Sequence, residues 1–155
     1  MADSNVTDAE VVFLQELRRH KVKFMVVGMS AAVIQGADLG TEDIDLWFKS
    51  LSDPGLEQAA RMAGGTFAWR ANRPMISGKG LDHIDIVIRC DGLRAFDAEY
   101  AAAVEAEVFG VKVKVLPLRR VIASKEAANR TKDKAVIPAL RAAEAAIRRA
   151  RAKPL

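Results

Sequence analysis

The stretch Phe24–Lys49, FMVVGMSAAVIQGADLGTEDIDLWFK, decides how the rest of the chain is read. It opens on an apolar run, Phe24 to Val27, that ends on Gly28. A short helical segment follows from Ser30 to Gln35, and Gly36 and Gly40 break it. Asp43 and Asp45 then stand two residues apart inside an apolar pattern of Ile44, Leu46 and Phe48. Residues i and i+2 of a strand share a face. A strand over Asp43 to Lys49 therefore projects both carboxylates side by side and turns Ile44, Leu46 and Phe48 into a core. Parallel carboxylates repel unless a positive charge lies between them, and a divalent cation with oxygen ligands is the usual solution.

The rest of the composition fits a single domain, residues 1–155. Half of the 155 residues are apolar and 28% are charged, enough for a real core. No apolar run approaches the roughly 20 residues that cross a bilayer. The N-terminus, MADSNVTDAE, is polar and acidic and does not read as a signal peptide, so a cytoplasmic location with no membrane association is expected. Cys90 is the only cysteine, which excludes an internal disulfide and reads as a reduced, buried thiol. Two histidines, His20 and His83, form no cluster with zinc spacing. The net charge of +4 is uneven. Residues 1–111 hold 11 basic and 17 acidic side chains, whereas residues 112–155 hold 13 basic and 3 acidic ones. A basic C-terminal part beside an acidic centre suits a polyanion such as a nucleotide or RNA. For Arg148, Arg149, Arg151 and Lys153 a solvated helix end is the simpler reading.

Working outward, Thr7-Asp8-Ala9-Glu10 has capping-box form and opens a helix to about Arg19. Asp53-Pro54 reads as an N-cap with proline at the first helical position, for a helix to about Met62. Thr66 to Trp69 is a short strand, and Arg70–Pro74 and Ser77–Gly80 read as basic loops. In the strand His83–Ile88, Asp85 interrupts an apolar face, and a charge there needs a partner. Asp82 reads as solvated. Phe96 to about Ala103 is helical. Val104–Phe109 and Val111–Leu116 form a hairpin around Gly110. Leu118 to Asn129 is helical, Arg130–Asp133 is a bridge, and Pro138 either kinks the last helix or starts a new one.

Taken together, Gly28-x-Ser30, a short helix, Thr41-x-Asp43-Ile44-Asp45-Leu46 and a later strand with Asp85 resemble the DNA polymerase β-type nucleotidyltransferase superfamily. Leu118 to Leu140 is similar to the Lys-x(4)-Arg-x-x-Asp region of small bacterial nucleotidyltransferase-like proteins, including relatives of abortive-infection toxins. The resemblance covers about residues 10–142. It implies an α+β fold with a mixed sheet flanked by helices, a core over about 10–117 and a C-terminal helical segment over 118–155.

The resemblance also implies roles. Asp43, Asp45 and Asp85 would be catalytic and would hold two Mg²⁺ ions, or Mn²⁺, with Asp85 nearer the acceptor. Gly28 and Ser30 would grip the triphosphate, Lys125 would add a cation, and Arg130 and Lys132 would stand behind it. Asp133 would orient one of these cations through an ion pair. The implied reaction moves a nucleoside monophosphate from an NTP to a hydroxyl on an RNA end such as tRNA, a protein or a small molecule, and releases pyrophosphate. A second reading is a non-catalytic nucleotide- or partner-binding module of the same fold, such as one half of a toxin–antitoxin pair. It rests on Met29, which stands where the family's turn has its second small residue, and on the few helices after Pro117. The same short C-terminal part raises the expectation that a cognate antitoxin or a homodimer completes the site. Trp47 shares the acids' face and is expected to pack beneath the site.

Overall fold

The computed structural model describes residues 7–41 and 43–152, so the first six residues, Glu42 and residues 153–155, Lys153 among them, lie outside the described residues. Helix α1, Asp8–Arg19, starts at the expected capping box, in which Thr7 and Glu10 satisfy each other's backbone N–H groups. The Glu10 carboxylate is buried and also accepts the backbone N–H of His83 at 2.9 Å. One acid thereby ties the start of α1 to the segment before Asp85. The hydroxyl of Thr7 adds a bond to the carbonyl of Gly80.

Strand β1 (Phe24–Val27) runs into α2 (Gly28–Ile34), and β2 (Ile44–Phe48) returns antiparallel to β1 with Val27 opposite Asp45. The short helix thus begins at Gly28, two residues earlier than its sequence pattern suggests. Helix α3, Pro54–Met62, is capped by the Asp53 carboxylate as expected. Strand β5, Ile84–Val87, then pairs parallel with β2, and Asp45 lies opposite Asp85. After α4 (Phe96–Ala101), the hairpin β6 (Val104–Val108) and β7 (Val111–Val115) closes the sheet, β7 pairing parallel with β1. The mixed five-stranded sheet has the order β5-β2-β1-β7-β6.

The turn between β6 and β7 places Phe109 and Gly110 at positive φ, the geometry of a tight two-residue hairpin. Ile44, Leu46 and Phe48 join Phe13, Leu14 and Leu17 of α1 and Leu56 of α3 in one buried core. On the carboxylate side, Trp47 is nearly buried and meets Phe96 of α4 edge-on at 5.3 Å, so it packs beneath the site.

Two sequence expectations need correcting. Arg73 and Pro74 are not loop: β3 (Thr66–Arg70) and β4 (Arg73–Ser77) form a separate antiparallel hairpin. Its turn, Ala71-Asn72, takes two positive φ angles without glycine, which hides the hairpin from pattern reading. Pro74 is tolerated because β4 has a partner on one side only. The second correction is at the C-terminus. Helix α5, Leu118–Ala128, ends on Asn129 in the left-handed conformation, and α6 then runs unbroken from Thr131 to Ala152 with Pro138 inside it. The expected bridge shrinks to Asn129 and Arg130. Leu140 and Ala143 bury one stripe of α6, and that packing offsets the backbone hydrogen bond lost at Pro138.

Candidate active site

Asp45 and Asp85 meet because β2 and β5 pair in register. In a parallel ladder, opposed residues point to the same face, so the two carboxylates are neighbours. Asp45 is half-buried, and burial together with the charges of Asp85 and Asp43 pushes its carboxyl from 3.8 up to about 6. Asp85 and Asp43 are exposed, Asp43 just before β2 begins. Among the described residues, no group of three or more acidic, histidine or cysteine side chains is gathered tightly enough to cage a metal. The structure therefore brings Asp45 and Asp85 together as a pair, with Asp43 at the open end of the strand.

The glycine turn sits against this pair. Gly28 has φ +63°, and a Cβ there would fall 2.7 Å from Oδ2 of Asp45. Only glycine lets the backbone approach the carboxylate this closely without strain. Ser30 is buried rather than open to solvent. Its hydroxyl donates to the carbonyl of Val27 at 2.8 Å and accepts the backbone N–H of Asp45 at 3.0 Å. Ser30 thus staples α2 to β2 and fixes the height of Asp45. Met29 is packed partly against the core and partly lines the cleft.

A cleft of about 310 Å³ opens over the pair. Asp45, Asp85 and Gly28 form one wall, and Lys125, Arg130 and Lys132 form the other. All three sequence-predicted cations are therefore at the cleft. The positions of Lys125 and Arg130 depend on Asp133, which is buried. Its carboxylate accepts Nε of Arg130 at 2.7 Å, the backbone N–H of Arg130 at 3.1 Å and Nζ of Lys125 at 3.3 Å. These donors hold the Asp133 carboxyl down at about 2.

Two further residues at the cleft, Arg89 and Ser124, were not singled out from sequence. Arg89 lines it while lying near Asp91, and Ser124 lines it from α5. Cys90 is half-buried in the same cleft, and burial pushes its thiol up to about 12, so it is inert as a nucleophile at neutral pH. Behind the cleft, fully buried Glu99 of α4 accepts two bonds from Arg120 of α5, at 2.6 and 3.0 Å, and another from the backbone of Arg94. That cluster locks α5, and so Lys125, against the sheet. The signal for it in sequence was weak, because Glu99 and Arg120 are 21 residues apart.

No family model and no curated protein matches the sequence. Solved structures do match. The lincosamide antibiotic adenylyltransferase LnuA, with lincomycin bound, aligns with a TM-score of 0.61 at 15% identity over 89% of this chain and 98% of its own. ANT(2")-Ia in complex with adenylyl-2"-tobramycin aligns with a TM-score of 0.57 at 17% identity over 92% of this chain and 96% of its own. A solution structure of ANT(2")-Ia, described as an antibiotic-resistance factor, gives 0.58 at 14% identity, over 90% of this chain and 82% of its own. The chain thus shares its α+β fold, a mixed sheet flanked by helices, with these solved structures. The fold includes the C-terminal helices α5 and α6, and Lys125, Lys132 and the intervening Arg130 line the same cleft as the carboxylate pair. Among the described residues, no helix is long and apolar enough to cross a membrane.

Proposed function

We propose that the chain is a divalent-metal-dependent nucleotidyltransferase. It moves a nucleoside monophosphate from an NTP to a hydroxyl acceptor and releases pyrophosphate. The observation that carries this reading is the Asp45–Asp85 pair facing Lys125, Arg130 and Lys132 across one cleft. Carboxylates on one wall and cations on the other suit a triphosphate with its counter-ion. The fold neighbours, one an adenylyltransferase and one carrying an adenylylated antibiotic, support the same reading.

The donor set fits a hard cation. Asp45 and Asp85 are oxygen ligands short of positive charge, as the raised Asp45 carboxyl attests. Asp45 and Asp85 would hold Mg²⁺ or Mn²⁺, with Asp43 added from the strand end. Such an ion, when bound, supplies charge neutralisation at the reacting phosphate. The chain's own groups do the rest. Lys125, Arg130 and Lys132 draw the β- and γ-phosphates to the α5–α6 side, and the exposed Asp85 carboxylate takes the acceptor's hydroxyl proton. Gly28 keeps the backbone close enough for its N–H to reach a phosphate oxygen, while Ser30 acts through Asp45. The neighbours' ligands favour a small-molecule acceptor over tRNA or a protein.

The experiment is transfer from α-phosphate-labelled NTPs to cell-extract acceptors with Mg²⁺ or Mn²⁺. Labelled product from the wild type and none from Asp45→Asn is expected. Nucleotide binding without transfer to any acceptor would favour the second reading, a non-catalytic module. The inward-turned Ser30 hydroxyl supports that second reading, because it leaves one phosphate donor fewer.

A further inference from the structure

Among the described residues, Asp85 alone lines both the cationic cleft and a second groove of about 300 Å³. This groove lies between β4 and β5, the outermost strand of the main sheet. We propose that it is the acceptor site, that it takes a low-molecular-weight alcohol with an apolar body, and that Met75 is a specificity-determining residue within it. The proposal rests on the nucleotidyltransferase reading above.

Reaction geometry gives the first argument. In an in-line displacement, the attacking and leaving oxygens lie on opposite sides of the phosphorus. The cations of α5 and α6 fix the leaving side. The cleft they face is floored by Val27, Gly28 and Leu116, which lie inward from Asp45 along the sheet. Asp85 lies outward from Asp45, and the β4–β5 groove lies beyond it. A hydroxyl held in that groove approaches from the side opposite the pyrophosphate. The acceptor oxygen forms its bond to the α-phosphorus as the bond from that phosphorus to the pyrophosphate oxygen breaks. Pyrophosphate leaves with the electron pair, and the hydroxyl proton passes to the Asp85 carboxylate.

The groove's chemistry gives the second argument. Its charged residues are Arg73, Asp82 and Asp85, so acids outnumber cations there. Neither Arg73 nor Asp82 is in an ion pair among the described residues. With Arg73 as the one cation among its described lining residues, the groove offers little to the phosphate backbone of an RNA end. Ile84, Ile86 and Pro74 supply a buried apolar floor, and Met75, 43% exposed on the outward face of β4, stands at its rim. An unbranched thioether adapts its shape to an apolar ligand. The volume sits at the lower end of small-molecule pockets.

The test uses the full chain with Mg²⁺ and ATP labelled on the α-phosphate. Three acceptor pools from a cell extract are offered separately: the small-molecule ultrafiltrate, total RNA and protein. The label is expected in the ultrafiltrate. Met75→Trp, which fills the groove from an exposed position, should cut that transfer by about tenfold or more through a raised acceptor KM. Binding of a fluorescent ATP analogue should stay within about twofold of the wild type, and Met75→Leu should restore transfer. Equal transfer by Met75→Trp overturns the proposal, as does label confined to RNA or protein. In that case nucleotide binding and transfer still stand, and only the acceptor assignment falls. A wild type that binds no ATP, or that binds it and labels none of the pools, overturns the proposal together with the enzymatic reading.

Discussion

Asp45 and Asp85 stand directly opposite each other across the parallel β2–β5 ladder. Two carboxylates on adjacent strands, one of them half-buried, are an electrostatic cost to the fold. Burial and the neighbouring charges raise the Asp45 carboxyl to about 6. An acid whose folded pKa is raised costs stability as pH rises from its ordinary 3.8 to about 6, and the full cost stands above that.

Removing either charge should therefore separate stability from activity. Asp45→Asn is expected to raise the melting temperature at pH 8 by about 2–4 °C for each kcal/mol of repulsion relieved. Transfer should fall by roughly a hundredfold or more, the scale of losing a group that organises the reacting phosphate. Mg²⁺ should raise the melting temperature of the wild type and leave that of Asp45→Asn unchanged. Calorimetric scans with and without Mg²⁺, beside a transfer assay, check all three. A variant less stable than the wild type would show that Asp45 is held by bonds the pair does not account for.

Several of these features could be read before any coordinates, because they are local. The capping box at Thr7 and Glu10, the Asp53-Pro54 start of α3 and the alternation around Asp43 and Asp45 each sit within a few residues. Asp85 was legible as an acid breaking an apolar face, but only the family resemblance, not the local pattern, joined it to Asp45. Forty residues separate them, and only the parallel register of two strands brings them together. The β3–β4 hairpin was hidden by Pro74 and by a turn of Ala71 and Asn72 in place of the usual glycine. The role of Ser30 was hidden for a different reason. A serine after a glycine turn suits a phosphate grip and an internal staple equally well, and only the bond from the Asp45 N–H separates them.

Glu99 predicts a pH dependence. Its bonds to Arg120 and Arg94 hold its carboxyl down at about 2, against an ordinary 4.5. A depressed folded pKa contributes stability above the unfolded value, and that stability is lost as pH falls through the folded one. The contribution of Glu99 should therefore be level above pH 4.5 and decline towards about 2. Asp133, held down from 3.8 to about 2, adds to the same window. Glu99→Gln should flatten the decline and lower stability at neutral pH. Denaturant titrations between pH 2 and 7 read this directly, and an unchanged slope in Glu99→Gln would place the acid sensitivity elsewhere.

Asp133 aims the cations, so its loss should be felt by the nucleotide. In Asp133→Ala, Lys125 and Arg130 lose their shared anchor. Binding of a fluorescent ATP analogue is expected to weaken by about tenfold, or 1.4 kcal/mol. Because Lys125 and Arg130 keep their charge, the salt dependence of binding should persist while affinity falls. Lys125→Ala in the wild-type background should weaken both. Binding that is unaffected by Asp133→Ala would mean that the phosphates are held by Lys132 and Arg89 instead.

Gly28 gives the sharpest test of how the turn and the carboxylates are joined. Its φ of +63° is costly for any residue with a Cβ, and an added Cβ would lie 2.7 Å from Oδ2 and 3.3 Å from Cγ of Asp45. The backbone strain alone is about 1–2 kcal/mol. The carboxylate must also swing away, because contacts below 3.0 Å are not tolerated. Gly28→Ala is therefore expected to unfold a few degrees earlier and to lose far more activity than that destabilisation explains. The loss should fall on kcat, since Asp45 is displaced while Lys125, Arg130 and Lys132 still face the cleft. Pairing Gly28→Ala with Asp45→Asn separates the two effects. The strain should remain, and the second substitution should cost little further activity, because residues that act as a unit are not additive. Independent, additive losses would mean that the glycine turn serves the phosphates without acting through Asp45.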